Sequence, residues 1–111
     1  MAEHNIIGQK GEQIAVETMR KKGFRVVDTN WKFGHLEMDV IAVNRKEIAF
    51  VEVKTRTSSF GDKRPEEFVD ELKRRRMAAA ANAYIKIHQI ELVPRFDIIG
   101  ISMDPNTYEV K

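Results

Sequence analysis

The chain of 111 residues has no cysteine, which excludes a disulfide framework and any thiolate metal site. No apolar run approaches the length of about 18 residues that a membrane-spanning helix needs. The N-terminal stretch MAEHNIIGQKGEQ lacks the apolar segment of a secretory signal. Together these absences point to the cytoplasm. No internal repeat, low-complexity tract or linker interrupts the chain. Net charge is also scarce: nineteen basic against seventeen acidic residues leave +2, too mild to require a nucleic-acid partner. Length and an ordinary apolar content fit one domain over residues 1–111.

The periodicity predicts a helix over 8–22 stopped by Gly23, and strands over 24–31, 35–43 and 47–55. The polar stretch RTSSFGDKR (56–64) reads as a loop. Pro65 opens a second helix reaching about residue 88. A strand follows over 95–103, then a DPNT turn and an edge strand, YEVK, over 108–111. The expected fold is α/β, of order αβββαββ. A mixed central sheet of about five strands lies between a helix on each face, which explains central strands that are apolar on both sides.

The hairpin EMDVIAVNRKEIAFVEVK (37–54) carries the chemistry. A symmetric turn at 44–47 pairs Val43 with Ile48, so Asp39 falls opposite Glu52 and Glu37 opposite Lys54. Glu37, Asp39, Ile41 and Val43 then share a face with Ile48, Phe50, Glu52 and Lys54. The other face (Met38, Val40, Ala42, Ala49, Val51 and Val53) is apolar throughout. Like charges directly across a strand pair repel, and burial makes the repulsion worse. A hard divalent cation would resolve it: Mg²⁺ takes one or two protein carboxylates and completes its shell with water and phosphate oxygens. Lys54, two residues beyond Glu52, would then reach a water or phosphate beside the metal. The competing reading is a strand end in solvent with a surface Glu37–Lys54 pair of little energetic weight.

On the first helix, Glu12 lies within roughly 60° of Ala15, Val16 and Met19, at about 100° per residue. An acid suits the first turn of a helix, but that does not account for its place in an apolar stripe. Gly8 and Gly11 permit close backbone approach there. On the second helix Leu72, Ala79, Ala80, Ala83 and Ile87 form the expected packing stripe, while Lys73, Arg74, Arg75 and Arg76 spread around the axis. Lys54, Arg56, Lys63 and Arg64 lie near the acidic strand end, where basic groups suit a phosphodiester or simply solvent. Arg95 and Asp97 read as an ion pair holding a sheet end. No histidine has metal-ligand spacing, and Trp31 and Phe33 suit core or rim packing better than base stacking.

The segments GQKGEQIAVETMRKKGFRVVDTNW, GHLEMDVIAV, AFVEVKTRTSSFG, ELKRRRMAAAANAYI and RFDIIGI resemble the YraN-type family of uncharacterised bacterial proteins. That family looks like the restriction-endonuclease-like superfamily, with its PD-(D/E)xK metal site and similarity to Holliday-junction resolvases. The resemblance implies that Asp39 is the metal-binding acid, Glu52 the (D/E), Val53 a backbone-carbonyl ligand and Lys54 the motif lysine. Glu12 matches the helical acid of resolvase-like members, Glu37 an acid two residues before the Asp, and Lys73 a basic position on the second helix. Met38 stands where the motif has proline. The implied activity is a Mg²⁺- or Mn²⁺-dependent endonuclease acting on DNA, branched or damaged, with Lys54, Arg56, Lys63, Arg64, Lys73 and Arg76 on the nucleic acid and Glu37, Arg95 and Asp97 in support. Work on a two-fold junction would suit a homodimer. The alternatives are a DNA-binding module that keeps the fold without cutting, in a repair, recombination or uptake complex, and a protein–protein adaptor whose acids form only ion pairs.

Overall fold

A computed structural model describes residues 2–56, 71–104, 107, 109 and 110. The elements run in the order α1 (Ala2–Lys21), β1 (Arg25–Phe33), β2 (Leu36–Val43), β3 (Glu47–Arg56), α2 (Glu71–His88) and β4 (Val93–Ser102). The strands form one four-stranded mixed sheet of order β1-β2-β3-β4. β1–β2 and β2–β3 are antiparallel and β3–β4 is parallel. The expected fifth strand reduces to an isolated Met103–Val110 bridge among the described residues. The loop expected over 56–64 lies outside the described residues beyond Arg56, as do Pro65 and the start of the second helix.

α1 begins earlier than the apolar stripe suggests, at Ala2 rather than near residue 8. It ends at Gly23, whose φ of 92° lets the Phe24 amide turn back and donate to the Met19 carbonyl at 3.0 Å. The β2–β3 turn is pinned by Asn44, whose Oδ1 accepts the Lys46 and Glu47 amides at 2.9 and 2.6 Å.

Each face of the sheet carries one helix. Ala15, Met19 and Phe24 pack with Val40, Ala42, Ala49 and Val51 on the α1 side. Met77, Ala80, Ala81 and Tyr84 of α2 pack with Ile41, Ile48 and Phe50 on the other. The stripe expected on α2 is therefore rotated: Leu72 and Ile87 are 55% and 65% exposed. The larger Met77 and Tyr84 take the buried positions, and Tyr84 sets its ring edge against Trp31 and Phe50, at 5.1 and 6.0 Å between centroids.

α1 lies close to β3 only because residue 11 has no side chain. A Cβ on Gly11 would stand 2.2 Å from Thr55 Cγ2. Gly11→Ala should therefore cost about 1–3 kcal/mol in urea denaturation despite alanine's better helix propensity. Adding Thr55→Ala, which removes the clashing methyl, should recover most of that loss; strict additivity of the two substitutions would contradict this packing.

Candidate functional site

The hairpin register begins as the turn predicts, with Val43↔Ile48, Ala42↔Ala49, Ile41↔Phe50 and Val40↔Val51. There the ladder stops. In place of a further backbone partner, the Val53 amide donates to Asp39 Oδ2 at 2.7 Å. β2 continues against β1 as far as Phe33↔Leu36, and β3 continues against β4 as far as Arg56↔Ser102. The two central strands thus part at Asp39 and leave a notch. A strand residue turns its amide and carbonyl to the same edge, so the Val53 carbonyl faces this notch too.

Two expectations are corrected here. Asp39 and Glu52 are not a ladder pair, and Glu37 does not meet Lys54; Glu37 lies across from Lys32 of β1. Side-chain alternation also breaks. Val40 keeps to the α1 side, but Met38 and Trp31 both join the α2-side cluster. The cause is next door. Asn30, between the pairs Thr29↔Val40 and Trp31↔Met38, has a φ of 53°. This left-handed residue turns the strand pair over at the level of Asp39.

The acids are distributed around the notch rather than gathered in it. Asp39 and Glu37 line clefts on both faces of the sheet. On the α1 side, a cleft of about 300 Å³ also contains Gln9, Glu12, Asn30 and Thr55. Asn30 Nδ2 donates to Glu12 Oε2 at 2.9 Å, so the left-handed residue also orients the helical acid. On the α2 side, a cleft of about 430 Å³ holds His35, Glu52, Leu72, Lys73 and Arg76. Glu52 is only 6% exposed. Two ammonium groups converge on its Oε1: Lys73 Nζ at 2.5 Å and Lys54 Nζ at 3.3 Å. Burial works against the Lys73 charge, but its hydrogen bond to Glu52 and the charges of Glu52 and Asp39 outweigh this and raise its pKa above the ordinary lysine value.

Among the described residues, Asp39 has no such cation in contact. Burial pushes its pKa up to about 6; the Val53 amide and the more distant Lys73 pull it down, while Glu52 and Glu37 push it further up. A divalent cation beside this carboxylate would relieve both its desolvation and the repulsion. Asp39, Glu52 and the Val53 carbonyl are the hard oxygen donors that Mg²⁺ or Mn²⁺ takes, so the donor chemistry fits. Among the described residues no group of three His, Cys, Asp or Glu side chains is close enough to hold a metal ion, so the acids do not by themselves make a closed cage.

The remaining expected residues fall elsewhere. Arg56 is exposed at the end of β3, and Arg76 is exposed on the rim of the α2-side cleft. Lys63 and Arg64 lie outside the described residues. Arg95 pairs with Asp97 at 3.1 Å and Glu47 at 3.4 Å over the ring of Phe24, at the opposite end of the sheet. Asn30 has no place in the sequence reading, although an asparagine inside an otherwise β-branched and aromatic strand signals a left-handed kink.

Fold and site together define a mixed α/β protein with an interrupted hairpin that holds a part-buried carboxylate beside a buried glutamate and two partly exposed lysines. The chain belongs to the uncharacterised protein family UPF0102, whose family model matches residues 11–101. It is 46% identical to a UPF0102 protein of Parabacteroides distasonis over 91% of this chain and 83% of that protein. To a UPF0102 protein of Bacteroides thetaiotaomicron it is 40% identical, over 99% of this chain and 90% of the relative. A UPF0102 protein of Porphyromonas gingivalis is 42% identical over 91% of this chain and 74% of its own length. Among the described residues no helix is long and apolar enough to cross a membrane.

The sign of the Asp39 shift makes a testable statement. Its folded pKa of about 6 lies above the ordinary 3.8. Between those values the folded state binds more protons than the unfolded chain, so its contribution to stability falls as pH rises through about 4 to 6. Asp39→Asn keeps an acceptor for the Val53 amide and removes the charge. After discounting for solvent screening, it should stabilise the fold by roughly 1–2 kcal/mol at pH 8, with the gain vanishing near pH 4. Urea denaturation across that range checks it; a variant less stable than wild type at pH 8 would contradict a strained carboxylate.

Proposed function

We propose that the protein is a divalent-metal-dependent endonuclease of the restriction-endonuclease-like PD-(D/E)xK class, cutting DNA phosphodiesters, with branched or damaged DNA as the favoured substrate. The observation that carries this reading is the interrupted ladder: the chain gives up a backbone pairing to hold a desolvated Asp39 at a notch, next to Glu52 and two lysines. A fold built for stability alone has no use for that arrangement.

In this reading Asp39, Glu52 and the Val53 carbonyl hold Mg²⁺ or Mn²⁺. Such an ion, when bound, supplies Lewis acidity at the phosphoryl oxygen and a water that ionises more easily. Lys54 and Lys73 neutralise the charge that develops on the non-bridging oxygens. Glu12, oriented by Asn30, closes the α1 side, and Glu37 adds negative potential that draws a cation in. Arg56, Lys63, Arg64 and Arg76 contact the backbone of the nucleic acid. A four-way junction has two-fold symmetry, so two copies of the chain would cut it symmetrically.

One observation favours a second reading. Glu52 is already neutralised by two lysines, a state that suits a nucleic-acid-binding module which keeps the fold without cutting. The two readings separate on chelation. Labelled four-way junction, flap, linear duplex and single-stranded DNA should be cleaved with Mg²⁺ or Mn²⁺ and not with EDTA. Asp39→Asn should lower the rate at least about 100-fold while DNA binding persists. Binding that is insensitive to EDTA, with no cleavage of any substrate by the wild type, would support the module instead.

A further inference from the structure

A broad, shallow depression lies away from the acidic notch. It lies at the other end of the sheet, around the β2–β3 turn and the end of α1, with a volume of about 790 Å³. Arg20, Arg25, Arg45 and Lys46 line it together with Phe24, and Glu47 is the one carboxylate in its lining. Glu47 is engaged by Arg95 at 3.4 Å. Arg20 makes an exposed contact with Glu17 at 3.4 Å, a pair of little weight in water. Arg25, Arg45 and Lys46 are exposed and form no ion pair among the described residues. The net charge of +2 hides this local excess of cations.

We propose that this cleft is a second contact for the phosphodiester backbone of nucleic acid, distinct from the acidic notch. Three of its four cations are arginines, whose planar guanidinium groups meet phosphate oxygens in pairs. Mutual repulsion of like charges around one shallow depression is relieved by a polyanion. The turn beneath is rigid, held by the two amide donations to Asn44, so the charges of Arg45 and Lys46 rise from a fixed base. Spacing fits a shared ligand. Asn44 follows Asp39 by five residues of β2 and its turn, about 16 Å along a strand. A duplex advances that far in about five base pairs. The backbone contact itself stands without the nuclease reading; only the position of the scissile phosphate relative to it rests on that reading.

The test is binding without metal. Fluorescence anisotropy of a labelled duplex of about 20 base pairs is measured in EDTA over a salt series, for wild type, for Arg25→Gln/Arg45→Gln/Lys46→Gln, and for Arg74→Gln/Arg75→Gln/Lys86→Gln as an equal charge loss on the exposed face of α2. The cleft variant should bind at least about tenfold more weakly, and its log–log salt slope should fall by about three. The α2 variant should change far less. Equal losses in both variants, or an unchanged slope in the cleft variant, overturn the proposal. So does a wild type that binds vesicles of anionic phospholipid but no nucleic acid. Because no cleavage is read, an inactive wild type that shows the cleft-dependent binding would refute the nuclease reading and leave this one standing.

Discussion

One hydrogen bond organises the end of the molecule that holds the candidate site: the Val53 amide donating to the Asp39 carboxylate. It ends the β2–β3 ladder without leaving the amide unsatisfied, which a buried break would otherwise do at a cost of about 1–3 kcal/mol. With the ladder ended, β2 follows β1 and β3 follows β4, and the gap between them opens to both faces of the sheet. That is why Asp39 and Glu37 line a cleft on each face. An uncharged acceptor would make the same bond without the desolvation and repulsion that raise the Asp39 pKa. The charge is a liability to the fold, and that liability is the physical argument for the proposed site.

The kink at Asn30 belongs to the same event. A flat antiparallel pair would carry Met38 to the face of Val40. The left-handed residue instead sends Met38 and Trp31 to the α2 side, where Trp31 meets Tyr84. The space this leaves on the α1 side is where Glu12 comes in, bonded to the kinked residue itself. Gly11, one residue away, lets the helix lie close enough for that bond. A strained backbone position, a missing side chain and a helical acid thus depend on one another.

The parts of this arrangement visible in the sequence are those set by period and by turn chemistry. The alternation of 37–54 and the turn at 44–47 place four ladder pairs correctly, because a one-residue slip would put charges in the core. The order of elements through β3, and a helix on each face, follow from apolar runs of two periods. The failures have physical causes too. The ladder break at Asp39 replaces a backbone acceptor by a side chain, which no periodicity records. Lys73 meets Glu52 across 21 positions of sequence, a contact set by how α2 docks. Its docking was misread because Leu72 and Ile87 are apolar yet exposed, while Met77 and Tyr84 win by size. Residues 108–111 alternate as an edge strand would, but their described part makes only one bridge.

The buried charge cluster bears on what kind of protein this is. Glu52 is the one charged residue buried among those described, and two lysines are drawn in to satisfy it. Buried ion clusters of this kind rarely stabilise a fold more than apolar side chains of the same volume. Phe50 and Ile48 precede Glu52 on the same face, so an apolar residue there would simply have lengthened the core. An adaptor using acids only as surface ion pairs would leave them in water. A pure backbone binder would present the lysines outward and have no need of the acid between them. In the proposed reading, a divalent cation enters between Glu52, which is 6% exposed, and Asp39 across the notch, and the two lysines at one Glu52 oxygen turn to an incoming anion.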